Sequence, residues 1–153
     1  MTDEPTTRPV LPNYGKGSLA DLASSLLAAL GVEREANPLR LPRAQRVCLL
    51  VVDGLGWELL RDHPAAAPFL SELALAGRPL TAGFPATTVT SLASLGTGVP
   101  PGQHGLLGYQ VAVPGRGMLL NGLRWSKEVD PVAWQPRPTV YERAAAAGIS
   151  SRR

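Results

Sequence analysis

The stretch Val47-Cys48-Leu49-Leu50-Val51-Val52-Asp53-Gly54-Leu55-Gly56 decides how the chain is read. Six apolar residues run without interruption, three of them β-branched valines. A continuous apolar run of this length suits a strand buried on both faces, as in a parallel sheet. It ends on a carboxylate, and the two glycines let the backbone turn tightly after it. In open α/β folds, ligands bind at the carboxyl ends of such strands, so Asp53 stands where a metal or substrate group would be held. The same position also suits an acidic cap for the next helix, and the strand end alone leaves both readings open. Dinucleotide binding does not fit, because the glycine spacing asks for a third glycine at position 59, which is Leu59.

A second segment follows thirty-odd residues later: Phe84-Pro85-Ala86-Thr87-Thr88-Val89-Thr90-Ser91, leading to Gly96 and Gly98 and then His104-Gly105. Thr88 to Leu95 has helical potential, with the glycines as its end. Hydroxyls at a helix start commonly cap it. The same place suits a phosphoryl nucleophile, because free N–H groups and the helix dipole stabilise oxyanions there. A threonine hydroxyl is a weak nucleophile until a metal or base activates it.

Around these two segments the pattern alternates helix and strand. Ser18 caps a helix to about Leu30, with Asp21 three residues on and Gly31 as the stop. Leu19, Leu22, Leu26, Leu27 and Leu30 share one face at helical spacing, as expected for packing on a core. Residues 31–45 read as a loop. A helix follows Gly56, Pro64 interrupts it, and Ala65 to Ala76 forms a second helical stretch closed by Gly77. Arg78–Ala82 reads as a short strand. Leu106–Val113 and Met118–Leu123 flank Pro114-Gly115-Arg116-Gly117 as a hairpin. Thr139–Ala147 reads as a helix ending at Gly148. In a βαβ pattern such a helix leads into another parallel strand. Only residues 149–153 follow, so the pattern predicts a sheet that is incomplete at the C-terminus, with an unpaired edge and a tendency to aggregate.

Composition bounds the function classes. The 153 residues suit about one domain, and 44% hydrophobic against 18% charged residues marks a globular chain. The net charge of +3 comes from 13 Arg and 2 Lys, scattered without a basic run. That argues against a nucleic-acid polymer as partner, though mild positive charge helps to attract an anionic substrate. Cys48 is the sole cysteine, so no disulfide forms within the chain. The start, Met1-Thr2-Asp3-Glu4-Pro5, is polar and is not a secretory signal. No apolar run approaches the ~20 residues needed to span a bilayer. The expectation is a cytoplasmic protein with no membrane partner. Residues 1–17, with Pro5, Pro9, Pro12, Gly15 and Gly17, read as an extended arm ahead of a domain over 18–153.

The ordered blocks Val51-Val52-Asp53-Gly54, Phe84-Pro85-Ala86-Thr87-Thr88, Thr97-Gly98-Val99-Pro100-Pro101 and His104-Gly105 resemble the nucleotide pyrophosphatase/phosphodiesterase branch of the alkaline phosphatase superfamily. The match is good over about 46–109 and looser over 137–149. The resemblance implies a three-layer α/β/α sandwich of the alkaline phosphatase type, of which residues 18–153 form the N-terminal part. It implies Asp53 as a ligand of one of two metal ions, usually Zn²⁺. It implies Thr88 as the nucleophile, its oxygen also bound to that metal, with Thr87 and Thr90 close alternatives. Small-molecule phosphate esters or nucleotides are the implied substrates.

Two departures bear on that picture. Where nucleotide-cleaving members place an asparagine after the His-Gly pair, this chain has Tyr109. Tyr109, or Asn121 on the hairpin, is a candidate to bind substrate instead. The family's remaining Asp and His ligands lie downstream of the residues present, and here only His63 and His104 exist. His63 matches no ligand position, and His104 reads as a loop-fixing residue. The sulfatase branch is disfavoured, because its modified-cysteine motif is absent. The sequence therefore predicts a truncated, inactive portion of a metal-dependent hydrolase. The alternative is a non-catalytic α/β fragment or binding module.

Overall fold

A computed structural model describes residues 10–152; of the expected N-terminal arm, residues 1–9 lie outside the described residues. The first helix begins where the sequence places it. The Asp21 carboxylate accepts hydrogen bonds from the N–H groups of Gly15 (2.9 Å), Gly17 (3.1 Å) and Ser18 (2.8 Å) and from Ser18 Oγ (2.9 Å). These bonds gather the approach to the helix around one buried carboxylate. A 3₁₀ turn over Leu19–Asp21 passes into α1, Leu22–Ala29. At its end Gly31 N–H bonds Ala28 O and Val32 N–H bonds Leu27 O, both at 3.0 Å, the paired closure of a Schellman motif. The most buried face carries Ala20, Ala23 and Leu27. The leucines at 19, 22, 26 and 30 are half-buried, so the small residues, more than the leucine stripe, allow the close packing.

Helices α2 (Trp57–Asp62) and α3 (Pro68–Ala76) follow, separated by a 3₁₀ turn at Pro64–Ala66. Proline removes the N–H that would continue α2. Then come α4 (Thr88–Thr97) and the single turn α5 (Pro101–His104). Next are strands β1 (Gln110–Val113) and β2 (Met118–Asn121), the single turn α6 (Pro131–Trp134), and α7 (Val140–Ala146). Of the two glycines expected to end α4, Gly96 lies within the helix and Gly98, with a φ of +73°, closes it. A Cβ there would sit 3.3 Å from Ala23 Cβ and 2.8 Å from Arg143 Nη2, so this glycine lets α1, α4 and α7 converge. The short helices α5 and α6 carry no periodic apolar signal and escape a sequence reading.

The hairpin forms as expected, antiparallel, with Gln110 opposite Asn121 and Val113 opposite Met118. Val113, Leu120 and Val129 form its small core, with Val111, Met118, Trp125 and Trp134 packed around them. Trp125 Nε1 donates to Val129 O at 2.7 Å, satisfying the indole as it enters that core.

The expected buried strand over 47–52 is not observed. Among the described residues this segment has no ladder partner, and the one sheet is β1–β2. Leu50 is 73% exposed, and Val51 and Val52 are also exposed. A parallel strand holds its place only through neighbours on its edges and faces. The one nearby candidate, Arg78–Ala82, instead forms an isolated parallel bridge between Thr81 and Ser18. There Leu19 N–H donates to Thr81 O and Thr81 N–H donates to Gly17 O, each at 2.9 Å. The architecture is thus mixed helix with a two-stranded sheet, compatible with part of an α/β fold. Between the 49–56 segment, α2–α3 and the start of α4 lies an open, mainly apolar cavity of about 1160 Å³.

Exposed apolar surface on this scale marks an interaction or aggregation face. The chain is expected to bind the dye ANS in native buffer. The double substitution Leu50→Lys/Val52→Lys lowers both dye fluorescence and light scattering. Dye binding unchanged by that pair would show that the segment is covered in solution.

Candidate active site

Asp53 closes the 47–52 segment in a turn completed by Gly54 at φ +76°. Gly56, in an extended conformation, then starts α2. Thr88 is the first residue of α4, after Thr87 at the cap position. Across 35 residues of sequence, Thr88 Oγ1 donates to Asp53 Oδ2 at 2.9 Å. Both side chains line the large cavity. The structure therefore brings together the two residues that the sequence singles out. Thr87 Oγ1 donates to Thr90 Oγ1 at 3.0 Å, and Thr90 is fully buried. Of these three threonines, Thr88 is the one whose hydroxyl both faces the cavity and meets the carboxylate. Thr87 makes no side-chain cap bond, so the first-turn N–H groups of α4 have no side-chain acceptor from the cap position.

A metal ion is implied at this position by the sequence resemblance. Asp53 and Thr88 supply two oxygen donors, whereas a zinc site needs three or four protein ligands. Among the described residues no group of three or more His, Cys, Asp or Glu side chains lies together. His63 is exposed in the turn before Pro64. The residues present do not compose the dinuclear centre.

His104 is engaged elsewhere. Its ring is 1% exposed, Nδ1 accepts from Leu106 N–H at 3.1 Å, and Nε2 lies 3.1 Å from Ser94 Oγ. The Leu106 N–H can only donate, which assigns the ring proton to Nε2 and makes Ser94 Oγ its acceptor. The imidazole thus ties the end of α5 to the middle of α4, the loop-fixing role expected of it. Spacing alone gives no sign of Ser94 as its partner.

Burial pushes the His104 pKa below its ordinary value of 6.5, against a smaller raising effect of its backbone hydrogen bond. The folded state therefore prefers the neutral ring. Its contribution to stability is complete above the unfolded pKa and is lost as pH falls through the lowered folded pKa. Urea midpoints are expected to fall between pH 7.5 and pH 5, and the His104→Gln variant to show a flatter profile. Equal slopes for the two proteins would exclude His104 as a source of the dependence.

Tyr109 also lines the cavity and is half exposed. Asn121 does not line it; its Oδ1 accepts from Leu123 N–H at 2.9 Å and holds a local turn. Leu123 and Trp57 are among the residues that line the same cavity. The sequence reading missed both, since a lone apolar side chain beside a glycine carries no signal of facing a site.

No curated protein matches the chain, and no solved structure matches it. The family model of type I phosphodiesterase / nucleotide pyrophosphatase matches residues 47–152, more than half of the sequence and inclusive of Asp53, Thr88, His104 and Tyr109. The chain belongs to the type I phosphodiesterase / nucleotide pyrophosphatase family, a family of phosphate-ester hydrolases.

Proposed function

We propose that the chain carries the nucleophile-bearing part of a metal-dependent phosphate-ester hydrolase, built on a three-layer α/β/α sandwich, with Thr88 as the nucleophile. The observation that carries this reading is the 2.9 Å hydrogen bond from Thr88 Oγ1 to Asp53 Oδ2 at the mouth of the cavity. Asp53 orients the hydroxyl and takes up its proton, and Asp53 and Thr88 are the two oxygen donors offered to one metal ion. Thr88 Oγ1 then forms a bond to phosphorus while the bond from phosphorus to the leaving oxygen breaks. The leaving oxygen takes a proton from water. The N–H groups at the start of α4 face the phosphoryl oxygens, where the helix dipole favours negative charge. Tyr109, which lines the cavity, meets the organic part of a small-molecule phosphate ester or nucleotide, whereas Asn121 stays in its local turn. The protein is read as cytoplasmic; no described helix is long and apolar enough to cross a membrane.

Two zinc ions would supply Lewis acidity and a bound hydroxide in the complete site. With two donors among the described residues, no step is assigned to them here. The same donor deficit favours a second reading, in which these 153 residues alone bind without hydrolysing. The test compares this chain with a longer version that adds His and Asp donors, on aryl phosphate mono- and diesters with and without zinc. The longer version is expected to turn over only with metal and to form a phosphothreonine at position 88. This chain is expected to stay at the blank rate. Absence of metal-dependent turnover in the longer version would sink the hydrolase reading.

A further inference from the structure

Gly122, immediately after β2, packs against the helix that bears Thr88. A Cβ built on it would lie 2.6 Å from Val89 Cγ1 and 3.1 Å from Val89 Cγ2. Its backbone is not in the left-handed region, where Gly115 and Gly117 of the same hairpin lie. The demand for glycine here is therefore steric rather than conformational. Val89 cannot readily give way. It is 7% exposed, and a β-branched side chain in a helix has essentially one χ1 rotamer.

The contact is coupled to the cavity wall from both sides. Gly122 N–H donates to Tyr109 O at 2.8 Å, closing the hairpin just beyond its last ladder pair, Gln110 and Asn121. Tyr109 and Leu123, the residues flanking this closure, both line the cavity that holds Asp53 and Thr88. Val89 adjoins Thr88 in the first turn of α4. A displacement at Gly122 is thus passed to the Tyr109–Leu123 wall on one side and to the first turn of α4 on the other.

We infer that Gly122 is a positioning residue: its missing side chain sets how closely the Tyr109–Leu123 wall approaches Thr88. The catalytic meaning of this distance rests on the reading of Thr88 as nucleophile, whereas the contact itself does not. Any side chain at position 122 must lift the hairpin end from α4 or displace Val89, and a smaller residue at 89 makes room for it.

Hydrogen exchange read by mass spectrometry on the full chain tests this with Gly122→Ala, Val89→Ala and the double variant. Gly122→Ala is expected to speed exchange about tenfold or more in peptides covering 86–92 and 107–124, the scale of an overpacked contact. Peptides from α1 and α7 stay at the wild-type rate. In the Val89→Ala background the same alanine at 122 is expected to have little further effect, because the two positions share one contact. That rescue is what a general loss of stability would not give. Wild-type exchange in Gly122→Ala, or an equal penalty in both backgrounds, overturns the inference. If Gly122→Ala does not fold, a folded double variant supports the inference and an unfolded one overturns it. None of these readouts needs turnover, so a failed phosphate-ester assay would count against the Thr88 reading alone.

Discussion

Thr88→Ala is expected to remove phosphate-ester turnover in a metal-competent version of the protein by at least about 10³-fold, the scale of losing a covalent nucleophile. Thr88→Ser keeps the oxygen and is expected to retain most of the rate. The neighbouring threonines supply the contrast. Thr87 and Thr90 spend their hydroxyls on one another at 3.0 Å, and Thr90 is fully buried. Thr90→Ala is therefore expected to cost about 1 kcal/mol of stability with little change in rate. Asp53→Asn leaves an acceptor for the Thr88 hydroxyl but takes away both the base and a carboxylate oxygen offered to the metal, so a loss of at least about 10²-fold follows. Steady-state rates on an aryl phosphodiester, with urea midpoints for each variant, separate the two kinds of effect. A Thr88→Ala protein at the parent rate, or a phosphorylated peptide at Thr87 or Thr90, would move the nucleophile elsewhere.

The choice among these threonines shows what the sequence carries and what it does not. Motif counting reaches Thr88 through resemblance to a family. The physical reason is the burial of Thr90 and the Thr87–Thr90 hydrogen bond, neither of which is a local property of the segment. Helix ends were legible because their chemistry is local. Ser18 and Asp21 sit three residues apart, and Gly31 and Gly148 take the positive φ that ends a helix. The hairpin was legible for the same reason, in the glycines at 115 and 117. The 47–52 segment departs from its expected strand because an apolar run states a preference for burial without naming its partners. Thr81 pairs with Ser18 instead, and the run stays exposed. The Ser94–His104 bond and the Gly122–Val89 contact join residues that no spacing rule connects.

Arg143 shows how such a long-range contact supports the site from a distance. Its Nη1 donates to both oxygens of Glu35, at 2.8 and 2.7 Å, and its Nη2 donates to Thr97 O at 3.1 Å. One guanidinium thus joins α7 to the loop after α1 and to the last turn of α4, where a cation also meets the negative end of the helix dipole. The side chains are 25% and 12% exposed, so the pair is partly screened and worth less than a fully buried one. Arg143→Ala nevertheless strands a largely buried carboxylate and leaves the Thr97 carbonyl without this donor. A loss of about 2–3 kcal/mol is expected, near the lower end for breaking a buried pair, or roughly a hundredfold in the folded-to-unfolded ratio. Arg143→Lys keeps the charge but not the two-pronged geometry, so it is expected to fall between wild type and alanine. Adding Glu35→Gln to Arg143→Ala should recover part of the loss, because a neutral amide is cheaper to leave unpaired than a carboxylate. Urea unfolding followed by far-UV circular dichroism reads all four proteins. If the double variant is no more stable than Arg143→Ala, the cost lies in lost packing around Gly98 rather than in the stranded charge.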